Sequence, residues 1–166
     1  MNRWAWMVVV ALGCWGSGHA SAADLEADAV FRRGEDLYQR QQFAAAAPLL
    51  QQAATMGHAG AQMRLAAMYS AGRGVGRDPR RAADLYEAAA TQGSVPAQFA
   101  LGVQHEIGNG VPRDRQKALH WLRQAAGNGD ARAAAYVATL ERSDAPVFRT
   151  EQALADYVQR TAAPRR

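Results

Sequence analysis

Glycine recurs at positions 57, 93 and 129, and alanine at 61, 97 and 133, so the centre of this 166-residue chain repeats every 36 residues. Laying 57–93 over 93–129 matches Gln62 with Gln98, Leu65 with Leu101, Gly72 with Gly108, Gly74 with Gly110, Val75 with Val111, Arg77 with Arg113 and Asp78 with Asp114. With the remaining alanine and glycine pairs this makes thirteen identities in 37 positions, without a gap. A period of this length restricts the fold to an array of supersecondary units, none of which can bury its apolar face alone.

Each unit reads as two helices. Apolar residues at helical spacing (Met63, Ala67 and Met68; Phe99 and Val103) predict a helix A over 59–71 and 95–107. The loops Gly72-Arg73-Gly74 and Gly108-Asn109-Gly110 supply residues that reach left-handed backbone angles without steric cost. Asp78 and Asp114 are placed to N-cap a helix B over 79–92 and 115–127, with Pro79 at its first position. Gly93 and Gly129 close that helix, and Ser94 and Asp130 are placed to cap the next helix A.

Upstream, Gly34, Leu37, Phe43, Ala46, Leu50 and Ala53 follow the spacing of a plain helix–turn–helix repeat whose loop is four residues shorter. Downstream, 131–142 repeats helix A, a break containing Pro146 follows, and Thr150 begins a terminal helix with Leu154, Tyr157 and Val158 on one face. Terminal units of such arrays depart from the consensus because one side meets water. The boundaries read 24–161 for the repeat domain, with units at 29–58, 59–94 and 95–130, capping helices over 131–161 and a disordered tail at 162–166.

The pattern A-Q-x-x-L-[GA]-x-x-[YH]-x-x-G-x-G-V-x-x-D-x-x-[RK]-A-x-x-[LW]-x-x-x-A-A-x-x-G occurs at 61–93 and again at 97–129. It resembles the Sel-one-like repeat, a longer-looped relative of the tetratricopeptide repeat, which 29–58 resembles in its shorter form. The chain departs from the pattern with Ala66 for Gly, His105 for Tyr, and Leu85 for the aromatic that Trp121 supplies. The resemblance implies an all-α fold, a right-handed α-solenoid of stacked antiparallel helix pairs, and a role in protein contacts rather than catalysis. Some cysteine-rich secreted members have been linked to β-lactam chemistry. Here the residue three before Lys117, the chain's one lysine, is Asp114, so no Ser-x-x-Lys motif exists, and the paired cysteines are absent. Neither a catalytic residue nor a cofactor is expected.

Composition places the chain in a compartment. Arg3, the apolar run Trp4 to Leu12, and Ala20-Ser21-Ala22 form the three parts of a secretory signal peptide over 1–23, cut after Ala22 or Ala23. A second reading takes Ala11-Leu12-Gly13-Cys14 as a lipoprotein box anchored through Cys14. The chain is then periplasmic or secreted, with a protein or peptide partner in the envelope and no stable membrane insertion after cleavage. Eighteen of nineteen basic residues are arginine and the formal charge is only +4, without lysine-rich clusters, which argues against a nucleic-acid partner. The 38 alanines suit closely packed helices.

No metal site is expected, because His58, His105 and His120 do not converge with acids; Glu106, next to His105, points elsewhere on the helix. The arginines at 80, 81, 113 and 115 form a basic loop edge, read as a solvated edge or as contact with an acidic partner. By analogy with tetratricopeptide solenoids, helix A residues line a groove in which Phe31, Met63 and Phe99 share one register, flanked by Glu35, Tyr38, Ser70 and Glu106. Such a strip is apolar with polar edges, as interfaces are. The same residues also suit plain packing between helices, and both readings stand at this level.

Overall fold

The computed structural model describes residues 21–142, which form seven helices and no strand. They are α1 (Ala22–Gln39), α2 (Phe43–Thr55), α3 (Ala59–Ala71), α4 (Pro79–Thr91), α5 (Val95–Ile107), α6 (Arg115–Gly127) and α7 (Ala131–Arg142). Each packs against the helix before and after it, giving the antiparallel pairs α1–α2, α3–α4 and α5–α6 followed by a seventh helix A. Residues 1–20 of the expected leader over 1–23, the break after Arg142, the terminal helix from Thr150 and the tail lie outside the described residues. Within them, Ser21 and Asp24 form a reciprocal capping box at the start of α1 (3.1 and 2.9 Å), which cleavage after Ala22 or Ala23 would remove.

The core is a succession of three layers. Val30, Ala46, Leu50, Ala53, Leu65 and Met68 join α1, α2 and α3. Ala66, Ala82, Tyr86, Ala89, Ala97 and Leu101 join α3, α4 and α5, with Trp121 packed at the edge. Phe99, Val103, Leu119, Leu122, Tyr136 and Leu140 join α5, α6 and α7. Alanine is abundant because the helices cross closely: a Cβ on Gly102 would stand 2.7 Å from Leu122 and 3.1 Å from the carbonyl oxygen of Ala118.

The two glycine loops have one geometry. Gly72 and Gly108 end α3 and α5 with φ of 68° and 75°, and the chain returns so that Asp78 and Asp114 donate N–H to the carbonyls of Tyr69 and His105, both at 2.9 Å. Arg77 and Arg113 fasten the loop by donating from Nε to the carbonyls of Ser70 and Glu106 (3.2 and 2.9 Å). Gly74 and Gly110 do something different. Each has positive φ, and each touches the start of the previous helix B: a Cβ would lie 2.4 Å from the carbonyl carbon of Phe43 and 2.0 Å from the carbonyl oxygen of Pro79. These loops seat one unit on the next.

Most expected punctuation is present. Asp78 accepts from Arg81 N–H, Asp114 from those of Gln116 and Lys117, and Asp130 from those of Arg132 and Ala133. Gly93 and Gly129 follow the cap residues Gln92 and Asn128 at φ of 88° and 93°. Ser94 differs from expectation: it occupies the N-cap position of α5, but its side chain makes no capping hydrogen bond. The shorter first loop reaches its turn through Gln41, at φ of 61°.

Two glycine substitutions separate backbone angle from close approach. Gly129→Ala meets a strained φ but no neighbour within 4 Å, and should cost about 1 kcal/mol in urea denaturation. Gly110→Ala adds a clash with Pro79 and should cost ~3 kcal/mol. Equal costs for the two would show that the loop does not seat on α4.

Candidate functional site

By helical register, Phe31, Met63 and Phe99 stand at equivalent positions on one face each of α1, α3 and α5. Phe31, Glu35 and Tyr38 occupy that face of α1, Met63, Ala67 and Ser70 that of α3, and Phe99, Val103 and Glu106 that of α5, each at helical i, i+4, i+7 spacing. Their exposures divide the row. The α1 and α3 members are all half-buried. Phe99 is 5% exposed within the last core layer, close to Tyr136, and Glu106 is fully enclosed. Phe31, Tyr38 and Met63 are therefore among the accessible members of the row, while Phe99 and Glu106 stand inside the fold.

The accessible half carries a charged crossing between units. Arg64 of α3 binds Glu35 of α1 through two bonds, from Nε to Oε2 at 2.7 Å and from Nη2 to Oε1 at 2.5 Å, and its guanidinium lies 4.6 Å from the Tyr38 ring centre. A bidentate pair stacked on an aromatic ring is fixed in direction in a way a lysine pair is not. Beside it, Phe31 stacks on His58 at 4.2 Å. His58 caps α3: its Nδ1 accepts from Ala61 N–H at 3.0 Å, which places the ring proton on Nε2, 3.1 Å from Asp28. This role was not read from the sequence, since histidine is not among the usual capping residues.

At the end of α5 the two units diverge. Met68, Tyr69 and Ser70 of α3 become Gln104, His105 and Glu106, all buried. Among the described residues, Gln104 Oε1, His105 Nδ1 and Glu106 Oε2 find no hydrogen-bond partner, although Arg113 reaches the other carboxylate oxygen of Glu106 at 3.2 Å. Buried acceptors left open are costly and rare. Successive residues on a helix point in different directions, so these three atoms do not form one ligand cage. Among the described residues no three His, Cys, Asp or Glu side chains come together to hold a metal.

Three of the four loop arginines are engaged within the molecule, and Arg80 is exposed. Arg81 pairs with Asp78 at 3.3 Å and lies over Tyr69, Arg113 fastens Glu106, and Arg115 donates to the carbonyl of Leu140. A shallow hollow of about 540 Å³ on α6 is lined by Gln116, His120, Arg123 and Gln124, a set without a nucleophile or carboxylate.

Two stability predictions follow from these side chains. Met68 is fully buried in apolar surroundings at the position where Gln104 stands in the next unit. Gln104→Met should therefore stabilise the protein by about 1 kcal/mol in chemical denaturation, and a loss of stability would show that the amide is satisfied in solution. Asp130, whose side chain is 6% exposed, is pushed up by burial, but hydrogen bonds from the Arg132 guanidinium and the Ala133 N–H outweigh this and hold it below its usual range. A group depressed in the folded state stabilises above its unfolded value, and that stability is lost as pH falls through the folded value. Asp130→Ala should cost about 1 kcal/mol at neutral pH. The gap in melting temperature should narrow as a titration enters the acid range; a gap constant with pH would refute the cap.

Comparison with known proteins gives the same architecture. The Sel1 repeat model matches residues 59–94 and 95–130. A Sel1 repeat protein from Oxalobacter formigenes is 34% identical, with a TM-score of 0.64, over 70% of this chain and 92% of that one. The protein c5321, a protective antigen present in uropathogenic Escherichia coli strains, is 29% identical with a TM-score of 0.68, over 82% of this chain. This chain spans only 30% of that longer one. Cysteine rich protein B of Helicobacter pylori, at 17% identity and a TM-score of 0.53 over 71% of this chain and 98% of that one, shares the fold. No curated protein matches in sequence. The two matched units, the paired helices and the extended likeness to the Oxalobacter protein together show that the chain belongs to the Sel1 repeat family.

Proposed function

We propose that the protein is an exported adaptor or scaffold that binds a protein or peptide partner in the bacterial cell envelope. Sel1-like repeat proteins generally mediate protein–protein interaction. The observation that carries the reading here is the half-buried row Phe31, Tyr38 and Met63, crossed by the Glu35–Arg64 pair. It offers aromatic and thioether surface beside oriented charge, the composition found where proteins meet. Export rests on the leader-like sequence over 1–23. Among the described residues no helix is long and apolar enough to cross a membrane. A cell-wall-associated hydrolase or polysaccharide-binding protein of the same repeat type is the competing reading.

One pair of measurements decides between them. The protein should crosslink to a discrete partner in a periplasmic extract, and Tyr38→Ala with Met63→Ala should abolish the crosslink while leaving the melting temperature within a few degrees. Nitrocefin and muropeptides should not be turned over. Turnover abolished by a single substitution would overturn the adaptor reading in favour of an enzyme.

A further inference from the structure

We propose that the protein receives an acidic segment of its partner, a run of Asp or Glu side chains, along the edge formed by its inter-helix loops, with Arg73 and Arg80 as the receiving cations. The helices alternate in direction, so the loops joining A to B within each unit share one edge, and the links between units share the other. Charge divides between the two edges. Among the described residues, 36–44, 72–81 and 106–117 at the loop edge hold eight Arg or Lys and four Asp or Glu. At the opposite edge, 21–33, 51–62, 84–98 and 121–133 hold four and six. An edge with an excess of one sign attracts a segment of the other.

Comparing the units separates the arginines that build the fold from those that do not. Arg77 recurs as Arg113, and both donate from Nε to a carbonyl of their own helix A. Arg73 and Arg80 become Asn109 and Gln116 in the next unit. The loop there keeps the same left-handed glycines and the same return of Asp N–H to a helix A carbonyl, so the fold does without both arginines. Both are exposed, and among the described residues neither side chain makes a hydrogen bond or an ion pair. Arg73 is nonetheless oriented. Its guanidinium lies 5.8 Å from the centre of the Phe43 ring, and that ring stands edge-on to Tyr38 at 5.1 Å. The uncommitted cation is thus joined to the accessible aromatic row by one ring.

A carboxylate matches the guanidinium fork through two parallel N–H bonds. Confinement of the uncommitted arginines to one unit favours a short peptide segment over a membrane surface. An anionic bilayer would be met by cations repeated along the whole edge, whereas Arg113 and Arg115 of the next unit are turned onto Glu106 and the Leu140 carbonyl. The inference rests on the proposed function for the partner being a protein, and it adds that partner's chemistry: apolar or aromatic side chains for the row, and acids beside them for the loop edge.

The test is fluorescence anisotropy of a fluorescein-labelled hexaglutamate peptide with the full chain. The peptide should bind, hexaglutamine should not, and affinity should fall as salt rises from about 0.01 to about 0.15 M. Arg73→Asn with Arg80→Gln, the residues the next unit carries, should weaken binding about tenfold at low salt with Tm unchanged. Arg32→Gln with Arg33→Gln removes the same charge from exposed positions in the other half of α1 and should leave binding unchanged. Equal weakening by the two double variants, no effect of the first, or no peptide binding at all overturns the proposal. Binding of phosphatidylglycerol vesicles in place of the peptide, lost in the Arg73 and Arg80 variant, overturns it in favour of a lipid surface. A partner that still crosslinks in periplasmic extract when hexaglutamate fails to bind overturns this inference and leaves the adaptor reading standing.

Discussion

Stacking in this protein depends on two places where backbone touches backbone. Gly74 meets Phe43 at the start of α2, and Gly110 meets Pro79 at the start of α4, at separations that leave no room for a Cβ. A contact of that kind fixes the distance between units before any side chain is chosen. Once it is fixed, the helices behind the loop are held so close that small residues fill the space, as the fully buried Ala82, Ala89, Ala97 and Ala118 do. The alanine excess is thus a consequence of the loop, and the left-handed angle at each glycine is the means by which the loop gets there.

Arginine does for the polar part what alanine does for the core. Arg77 and Arg113 close the two loops on their own helices, Arg64 ties α3 to α1, Arg115 reaches α7, and Arg123 pairs with Glu141 across α6 and α7. A planar fork with fixed donors can satisfy a carbonyl and a carboxylate together, as Arg113 does at Glu106, which lysine cannot do as well.

Helix boundaries were legible in the sequence because glycine, aspartate and proline punctuate them, and α3 to α7 fall within a residue or so of the reading. What the sequence did not disclose depends on neighbours distant along the chain. Phe31 and Phe99 are the same residue type at the same register, yet one is half-buried and the other enclosed, because Tyr136 of α7 stands beside Phe99. The capping role of His58 was hidden because it requires Asp28 and Phe31 to hold the ring. Conversely, Ser94 has the residue type of a cap without making its bond, since an N-cap preference is statistical.

Gln62 and Gln98, matched by the period, also matter beyond their own units. Each donates to a carbonyl of the preceding helix B, Ala54 at 3.3 Å and Ala90 at 3.2 Å, and each accepts from the residue that ends its own unit's helix B, Gln92 at 2.7 Å and Asn128 at 3.1 Å. The joint before α3 is therefore chemically the same as the joint before α5. A 36-residue unit can be duplicated or lost at such a joint without inventing an interface, so the gene can change the length of the protein in whole steps. At the position equivalent to Gln98 in α7 the residue is Ala134, and there the interchangeable joint ends.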